Sequence, residues 1–325
     1  MLGGIENISA ILAREFINAG HQVHVITQTP AGDEDSYPYA VTRQPSHAEV
    51  MRLARWSDVF FQNNISIRTL MAARPVQARI VITYQTWIRR TDGRASLWHW
   101  LKAQSSRLAA RNVAVSKAVA ASIPSRCVLI PNPYDHTIFR PISGIKRDRD
   151  LIFVGRIVSD KGVDILLEAM GRLARSGIRP KLTIVGSGPE EPALLQQAVR
   201  LGIQTQITFT GPLSGETLAR VLNQHRILIV PSRWAEPFGI VALEAIACGC
   251  MVIGSANGGL PDAIGPCGFT FPNGDDKALA EMMEWVLRDP SLVAERLREA
   301  PAHLQRHRGD AIARQYLNLF TELLA

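Results

Sequence analysis

The chain has 325 residues, 46% of them hydrophobic and 20% charged, with a net charge of +7; this is globular composition at a length that favours two domains. No window approaches the ~18 or more consecutive apolar residues of a membrane helix, and no charged-then-apolar start leads to a small-residue cleavage site, so a soluble, cytoplasmic protein is expected. Cys127, Cys248, Cys250 and Cys267 supply a single C-x-C without a second pair or an H-x3-5-H partner, and read as structural thiols rather than zinc ligands.

The excess charge is one-sided. Residues 1–142 hold sixteen Lys and Arg against nine Asp and Glu, whereas 143–325 hold twenty of each. Between Arg68 and Arg126 eleven basic residues face one acid, Asp92, in a stretch that also carries Trp87, Trp98 and Trp100. Such a surface is compatible with an anionic membrane, an acidic acceptor or plain solvation. Nucleic acid is set aside, because no recognised nucleic-acid motif accompanies the charge.

In chain order, MLGGIENISAILAREFINAGHQVHVIT opens with a turn at Gly3 and Gly4, then a helix, then a strand over 22–27. A βαβ unit needs a strand ahead of that turn, so the reading frame is expected to extend upstream by about 8 to 15 residues. Apolar runs follow at 58–62, 79–83, 112–116 and 126–131, and helical spacing lies between them. The segment SLWHWLKAQSSRLAAR (96–111) is read as a helix with Leu97, Trp100, Leu101 and Leu108 on one side, facing either the core or a membrane surface. PNPYDHTIFRPISGIKRDRD, with its prolines and charges, marks the linker and divides 1–142 from 143–307. Beyond it come runs at 151–155, 181–186, 206–211, 226–232 and 251–255. The last helix, 308–325, carries a stripe of Ile312, Tyr316, Leu319, Phe320 and Leu323 and is expected to pack back on the amino-terminal domain. Short apolar strands alternating with helices predict an α/β protein with parallel, doubly wound sheets.

Three loops of the second half follow strands and therefore open at one carboxyl edge, where ligands bind in such folds. LIFVGRIVSDKG places Gly155, Arg156 and Lys161 there, a guanidinium and an ammonium suited to neighbouring phosphates. KLTIVGSGPEEPALL offers Gly186 and Gly188 for close approach to a ligand or for a tight turn, but Glu191 occupies the third glycine of a dinucleotide fingerprint. RWAEPFGIVALEAIACG turns through Pro237, Phe238 and Gly239 into a helix starting at Ile240, with Glu236 before its positive end and Glu244 inside it. Either the two glutamates merely complement the dipole and face water, or they accept hydrogen bonds from paired hydroxyls. The D-x-D strings at 33–35 and 148–150 do not follow apolar strands and are not read as a metal site.

Taken together, FVGRIVSDKG, IVGSGPE, FTGPLS, VPSRWAEPFGIVALEAIACG, SANGGLPDAI and PNPYDHTIFRP resemble the retaining GT-B glycosyltransferases of family four. The resemblance implies two Rossmann-like domains facing across a cleft, and no cofactor or metal beyond a nucleoside diphosphate sugar donor. It implies that Arg156 and Lys161 neutralise the donor diphosphate, that Glu236, Phe238, Gly239 and Ile240 meet the transferred sugar, and that Glu244 holds the ribose. Gly155, Gly186 and Gly188 then lie near the nucleotide, and Gly258 and Gly259 near the cleft. On the acceptor side it implies Gly3, Gly4 and either Tyr84 or Gln85, which stand where many relatives carry a histidine. The function expected is hexose transfer to a glycan or lipid-linked acceptor, at the inner face of a membrane if the basic half docks there. The alternative is a degenerate protein that binds a nucleotide sugar without turnover.

Overall fold

A computed structural model describes residues 4–30, 37–76, 79–88 and 97–325. In chain order its elements are α1 (Gly4–Asn18), β1 (His24–Thr27), β2 (Ala40–Arg43), α2 (His47–Trp56), β3 (Val59–Asn63), α3 (Ile67–Ala73), β4 (Arg79–Tyr84), α4 (Leu97–Ser105), β5 (Arg111–Ala114), α5 (Lys117–Ala121) and β6 (Cys127–Leu129). There follow β7 (Arg149–Val154), α6 (Val163–Arg175), β8 (Leu182–Val185), α7 (Glu191–Arg200), β9 (Ile207–Gly211), α8 (Gly215–Asn223), β10 (His225–Val230), α9 (Ile240–Ala247), β11 (Met251–Ser255), α10 (Leu260–Ile264), β12 (Gly268–Phe271), α11 (Asp276–Arg288), α12 (Ser291–Leu297), α13 (Ala300–Gln305) and α14 (Gly309–Leu324). Every apolar run read as a strand is one. Two strands escaped that reading, β2 (AVTR) and β12 (GFTF), because each is only four residues long and broken by a polar residue.

Two compact units divide the chain, one made of Met1–Pro133 with His307–Ala325 and the other of Tyr134–Arg306. The boundary lies upstream of the expected 142/143. The Ile142 N–H donates to Asn223 Oδ1 (2.9 Å) and Asn223 Nδ2 donates to the Arg140 carbonyl (3.0 Å), which ties the connecting segment to the second unit.

The carboxyl unit is a six-stranded parallel sheet in the order β12-β11-β10-β7-β8-β9. Past their polar first residues its central strands β7 and β10 are apolar because helices cover both faces: Leu151, Ile152, Ile227, Leu228, Ile229, and Val252 and Ile253 of the adjoining β11, are all buried. Helix α6 shows how the sequence builds a cover. Ile165, Leu166, Ala169, Met170 and Leu173 recur at helical spacing and are buried on the sheet, Asp164 sits in the positive first turn, and Arg172 and Arg175 sit in the last. Each fully buried Leu, Ile or Met in such a layer stabilises the fold by roughly 1.5–3 kcal/mol.

Among the described residues the amino unit holds two parallel sheets, β1-β2 and β3-β4-β5-β6. Helix α14 packs on α1, and its apolar stripe closes an aromatic cluster in which the Phe61 ring lies tilted against Tyr316 (5.1 Å between centroids) and Phe320 (5.7 Å), with Phe16 against Phe320 (5.8 Å). The buried Tyr316 hydroxyl meets Thr83 Oγ1 at 3.0 Å and stitches the helix to β4. Tyr316→Phe therefore leaves the Thr83 hydroxyl without this partner and is expected to cost about 1–2 kcal/mol, read as a lower urea midpoint at unchanged slope.

Among the described residues no helix is long and apolar enough to cross a membrane. All four cysteines are free, three of them buried, and burial pushes Cys248 and Cys250 up to about 12.

Candidate functional site

In the carboxyl sheet the strand order reverses at β7. Strands β8 and β9 continue to one side while β10, β11 and β12 lie on the other, so the loops leaving the adjacent strands β7 and β10 diverge at the carboxyl edge. That divergence opens a crevice where α/β proteins place their ligands. Lys161 arrives from the β7 loop and Glu236 from the β10 loop, and Lys161 Nζ donates to Glu236 Oε1 at 2.6 Å. Ser232 Oγ donates to the same oxygen, also at 2.6 Å. Both charges are partly withdrawn from water, with the Lys161 and Glu236 side chains 25% and 12% exposed. Arg156, on the same loop as Lys161, is exposed.

The two loops are locked to one another. Backbone N–H groups of Arg233 and Trp234 donate to the Asp160 carbonyl, and the Arg233 guanidinium grips both oxygens of Asp164 at 2.5 and 2.6 Å. Asn273 Nδ2 donates to the Ser232 carbonyl at 3.0 Å, while its Oδ1 accepts from the Asn257 N–H at 2.8 Å. The Gly259 N–H donates to the Glu236 carbonyl at 2.7 Å. Ser232 and Asn273 were missed in the sequence. Ser232 had a signal, four residues ahead of Glu236 in a strand-end loop, but Asn273 sits in a distant turn that only folding brings near.

The glycines have specific neighbours. A Cβ on Gly186 (φ +140°) would lie 1.8 Å from the Gly155 carbonyl oxygen, and one on Gly188 would lie 2.1 Å from that of Ile157. Close contact between the β7 and β8 loops therefore accounts for both residues, and their open sides face protein backbone. Gly186→Ala combines that clash with a left-handed backbone and is expected to cost 3 kcal/mol or more (about that order), measured as loss of the cooperative transition of the carboxyl unit. Gly239, at φ +100°, turns the chain into α9, where no side chain caps the first turn. Phe238 is buried beneath it and Ile240 is half-buried.

Helix α9 is apolar except for Glu244, whose neighbours Ala242, Leu243, Ala245 and Ile246 are buried. The Glu244 side chain is half-buried, and no hydrogen-bond donor or cation among the described residues reaches it. Burial first, and the Asp135 carboxylate second, raise its carboxyl to about 7. An ionisable group left without a partner in a recess is poised for an arriving donor.

The acceptor-side candidates belong to the amino unit and separate there. Tyr84 is fully buried, its hydroxyl donates to Asn112 Oδ1 at 2.8 Å, and burial raises the phenol. It is a core residue, which corrects its candidacy: the last residue of β4 points into the layer behind the sheet. Gln85, one residue further, is also buried just past the carboxyl end of β4, but its amide is polar: Nε2 donates to Asn63 Oδ1 at 2.8 Å and Oε1 has no partner among the described residues. Gly4 begins α1 and is exposed; Gly3 lies outside the described residues, as do Asp33, Glu34 and Asp35. Asp148 and Asp150 flank the amino end of β7, away from the crevice, and Asp150 accepts from the Lys181 N–H at 3.0 Å. No group of three or more His, Cys, Asp or Glu among the described residues is arranged to hold a metal.

The fold is GT-B, built from doubly wound α/β units with parallel sheets. HepE of Anabaena, solved in complex with UDP and glucose, superposes with a TM-score of 0.82 over 98% of this chain and 96% of that one, at 20% identity. The chain belongs to the glycosyl transferases group 1 family, which matches residues 135–303, and glycosyltransferase family 4 matches residues 2–137. A D-inositol 3-phosphate glycosyltransferase of Mycobacteroides abscessus is 44% identical over 138 residues, 41% of this chain and 30% of that protein. The glycogen synthase of Mycobacterium tuberculosis is 35% identical over 157 residues, 48% of this chain and 38% of that protein. The matched region spans about half, or less, of the length of these curated relatives.

Proposed function

We propose that the chain transfers a hexose from a nucleoside diphosphate sugar to a glycan or lipid-linked acceptor, with retention at the anomeric carbon. The observation that carries this reading is the meeting of Lys161 and Glu236 at the switch point of the carboxyl sheet, on the same edge as Arg156 and the start of α9. Glu236 accepts from the hydroxyls of the sugar, and Glu244 accepts from the ribose. As the bond from the anomeric carbon to the phosphate oxygen breaks, positive charge grows on the sugar ring and negative charge on the departing diphosphate. Arg156, Lys161 and the uncapped first turn of α9 stabilise that negative charge, and this electrostatic work calls for no metal ion. The HepE complex makes uridine diphosphate glucose the first donor to test.

The amino unit, which carries the excess positive charge, takes the acceptor in this reading, with Gln85 and Gly4 as its candidate contacts. The side chains of Trp100 (58% exposed) and Leu101 (40% exposed) on α4 stand in solvent, which departs from a core-facing helix and favours contact with an anionic membrane. Cosedimentation with vesicles should rise with anionic lipid content and fall on Trp100→Ala.

The deciding experiment incubates the protein with a panel of nucleoside diphosphate sugars and follows nucleotide release and the anomeric configuration of the product. Turnover with retention supports the proposal. Saturable binding without release would make the protein a nucleotide-sugar binder, and turnover with inversion would refute retention.

A further inference from the structure

Ser232 is 1% exposed, and its hydroxyl donates to Glu236 Oε1 at 2.6 Å. Lys161 Nζ donates to the same oxygen at the same distance. Oε1 is therefore doubly engaged, whereas no donor among the described residues meets Oε2. The carboxylate thus presents Oε2 to a ligand, and it presents it as an acceptor.

The two anchors of Oε1 differ in stiffness. Lys161 reaches it on a flexible stem, with the side chain 25% exposed. In the transferase reading that ammonium turns to the incoming diphosphate, so its hold on Glu236 weakens when the donor binds, and the diphosphate itself repels the carboxylate. Ser232 carries its hydroxyl a single torsion away from a backbone that neighbouring loops fix. Asn273 Nδ2 donates to the Ser232 carbonyl at 3.0 Å, and the N–H groups of Arg233 and Trp234 donate to the Asp160 carbonyl. At the other end of the turn the Glu236 carbonyl accepts from the Gly259 N–H at 2.7 Å, and Glu236 pairs with Gly258 in an isolated parallel bridge. With the main chain held at both 232 and 236, the freedom left to Glu236 lies in its side-chain torsions, and the Ser232 hydroxyl is the rigid group that restricts them.

We infer that Ser232 is the positioning residue of Glu236: it holds the carboxylate through Oε1 while Lys161 passes to the diphosphate, and so keeps Oε2 aimed at the hydroxyls of the sugar. The inference rests on the transferase reading above. Ser232 touches neither the donor nor the reacting atoms in this account and acts through Glu236 alone.

The test measures steady-state transfer, binding of nucleoside diphosphate and thermal unfolding for the parent, Ser232→Ala, Ser232→Thr, Glu236→Gln and the Ser232→Ala/Glu236→Gln double variant. The donor is the one the parent turns over, from a panel that begins with uridine diphosphate glucose. Ser232→Ala is expected to lower kcat by about thirtyfold, the scale of one hydrogen bond to a charged group. Donor KM should stay within about threefold of the parent, because the lost contact orients the sugar in the transition state. Nucleoside diphosphate affinity should be unchanged, since Arg156, Lys161 and Glu244 are intact. Ser232→Thr keeps the hydroxyl and should recover most of the loss. Once Glu236 is glutamine, Ser232→Ala should cost little more. Should Ser232→Ala fail to fold, Ser232→Cys, close to serine in shape but a weak donor, reads the same loss at smaller size. Parental kcat in the folded variant, or a double variant that falls by the product of the two single losses, would overturn the inference while the parent's turnover upholds the transferase reading. A parent that releases nucleotide from no donor would overturn both.

Discussion

Replacing Lys161 with alanine is expected to lower turnover by about a thousandfold at saturating donor. The ammonium sits at the switch point with a carboxylate 2.6 Å away, in surroundings where neither is fully hydrated. Removing one preorganised charge that faces a developing oxyanion costs about 3–4 kcal/mol of transition-state stabilisation, and each ~1.4 kcal/mol is tenfold in rate. Lys161→Ala also strands Glu236, so Lys161→Ala and Glu236→Gln should be strongly non-additive, the double variant falling little below either single one. Arg156→Ala should cost less, because Arg156 is exposed and its field is screened by water. Thermal unfolding separates catalysis from folding: a partly exposed pair contributes little to stability, and the Lys161→Ala protein should melt within a few degrees of the parent. A loss of turnover below about tenfold would remove Lys161 from the chemistry.

The second large effect concerns Glu244, where stability and binding should move in opposite directions. Its carboxyl is raised to about 7 from 4.5, so between those values the folded protein holds a proton that the unfolded chain has released. Folded-state stability is therefore lost as pH rises through that window and is not regained above it. At pH 8 without ligand, Glu244→Gln should be more stable than the parent. The full shift would correspond to about 3 kcal/mol, and because the side chain keeps some contact with water the expected gain is about 1–2 kcal/mol. Nucleotide should reverse the order. A charge-assisted hydrogen bond from a hydroxyl is worth about 1.5–3 kcal/mol, so losing a pair of them should weaken binding of a nucleoside diphosphate by a hundredfold or more, by order of magnitude. Parent affinity should climb with pH to about 7 and level off above it, while the glutamine variant keeps only the pH dependence of the nucleotide's own phosphate. Titration calorimetry at pH 6, 7 and 8 reads this directly. Equal affinities for parent and variant at pH 8 would place Glu244 outside the nucleotide site.

Much of this arrangement could be read from the chain. The paired acid and base of the crevice stand in loops that follow apolar runs, and in a parallel α/β sheet all such loops emerge at one edge. Gly186 and Gly188 were legible as glycines that some close approach requires, but the approaching group proved to be the backbone of the neighbouring loop. Tyr84 and Gln85 could not be told apart by position, because a strand end alternates its side chains and the last residue inside the sheet is set by register. Strands β2 and β12 were invisible because each is four residues long and carries a polar residue that breaks its apolar run.

Local chemistry thus decided the class of the fold, the alternation of its elements and the residues that border the crevice, since hydrophobic periodicity and strand-end loops are written in contiguous residues. Folding decided what is written in no contiguous stretch. It spent Lys161 and Ser232 on one oxygen of Glu236, drew Asn273 from a remote turn to brace that loop, and buried Glu244 far enough to hold its proton near neutrality. Those features depend on distances between segments remote in sequence and on the water excluded between them, and both come into being only when the sheet and its helices pack.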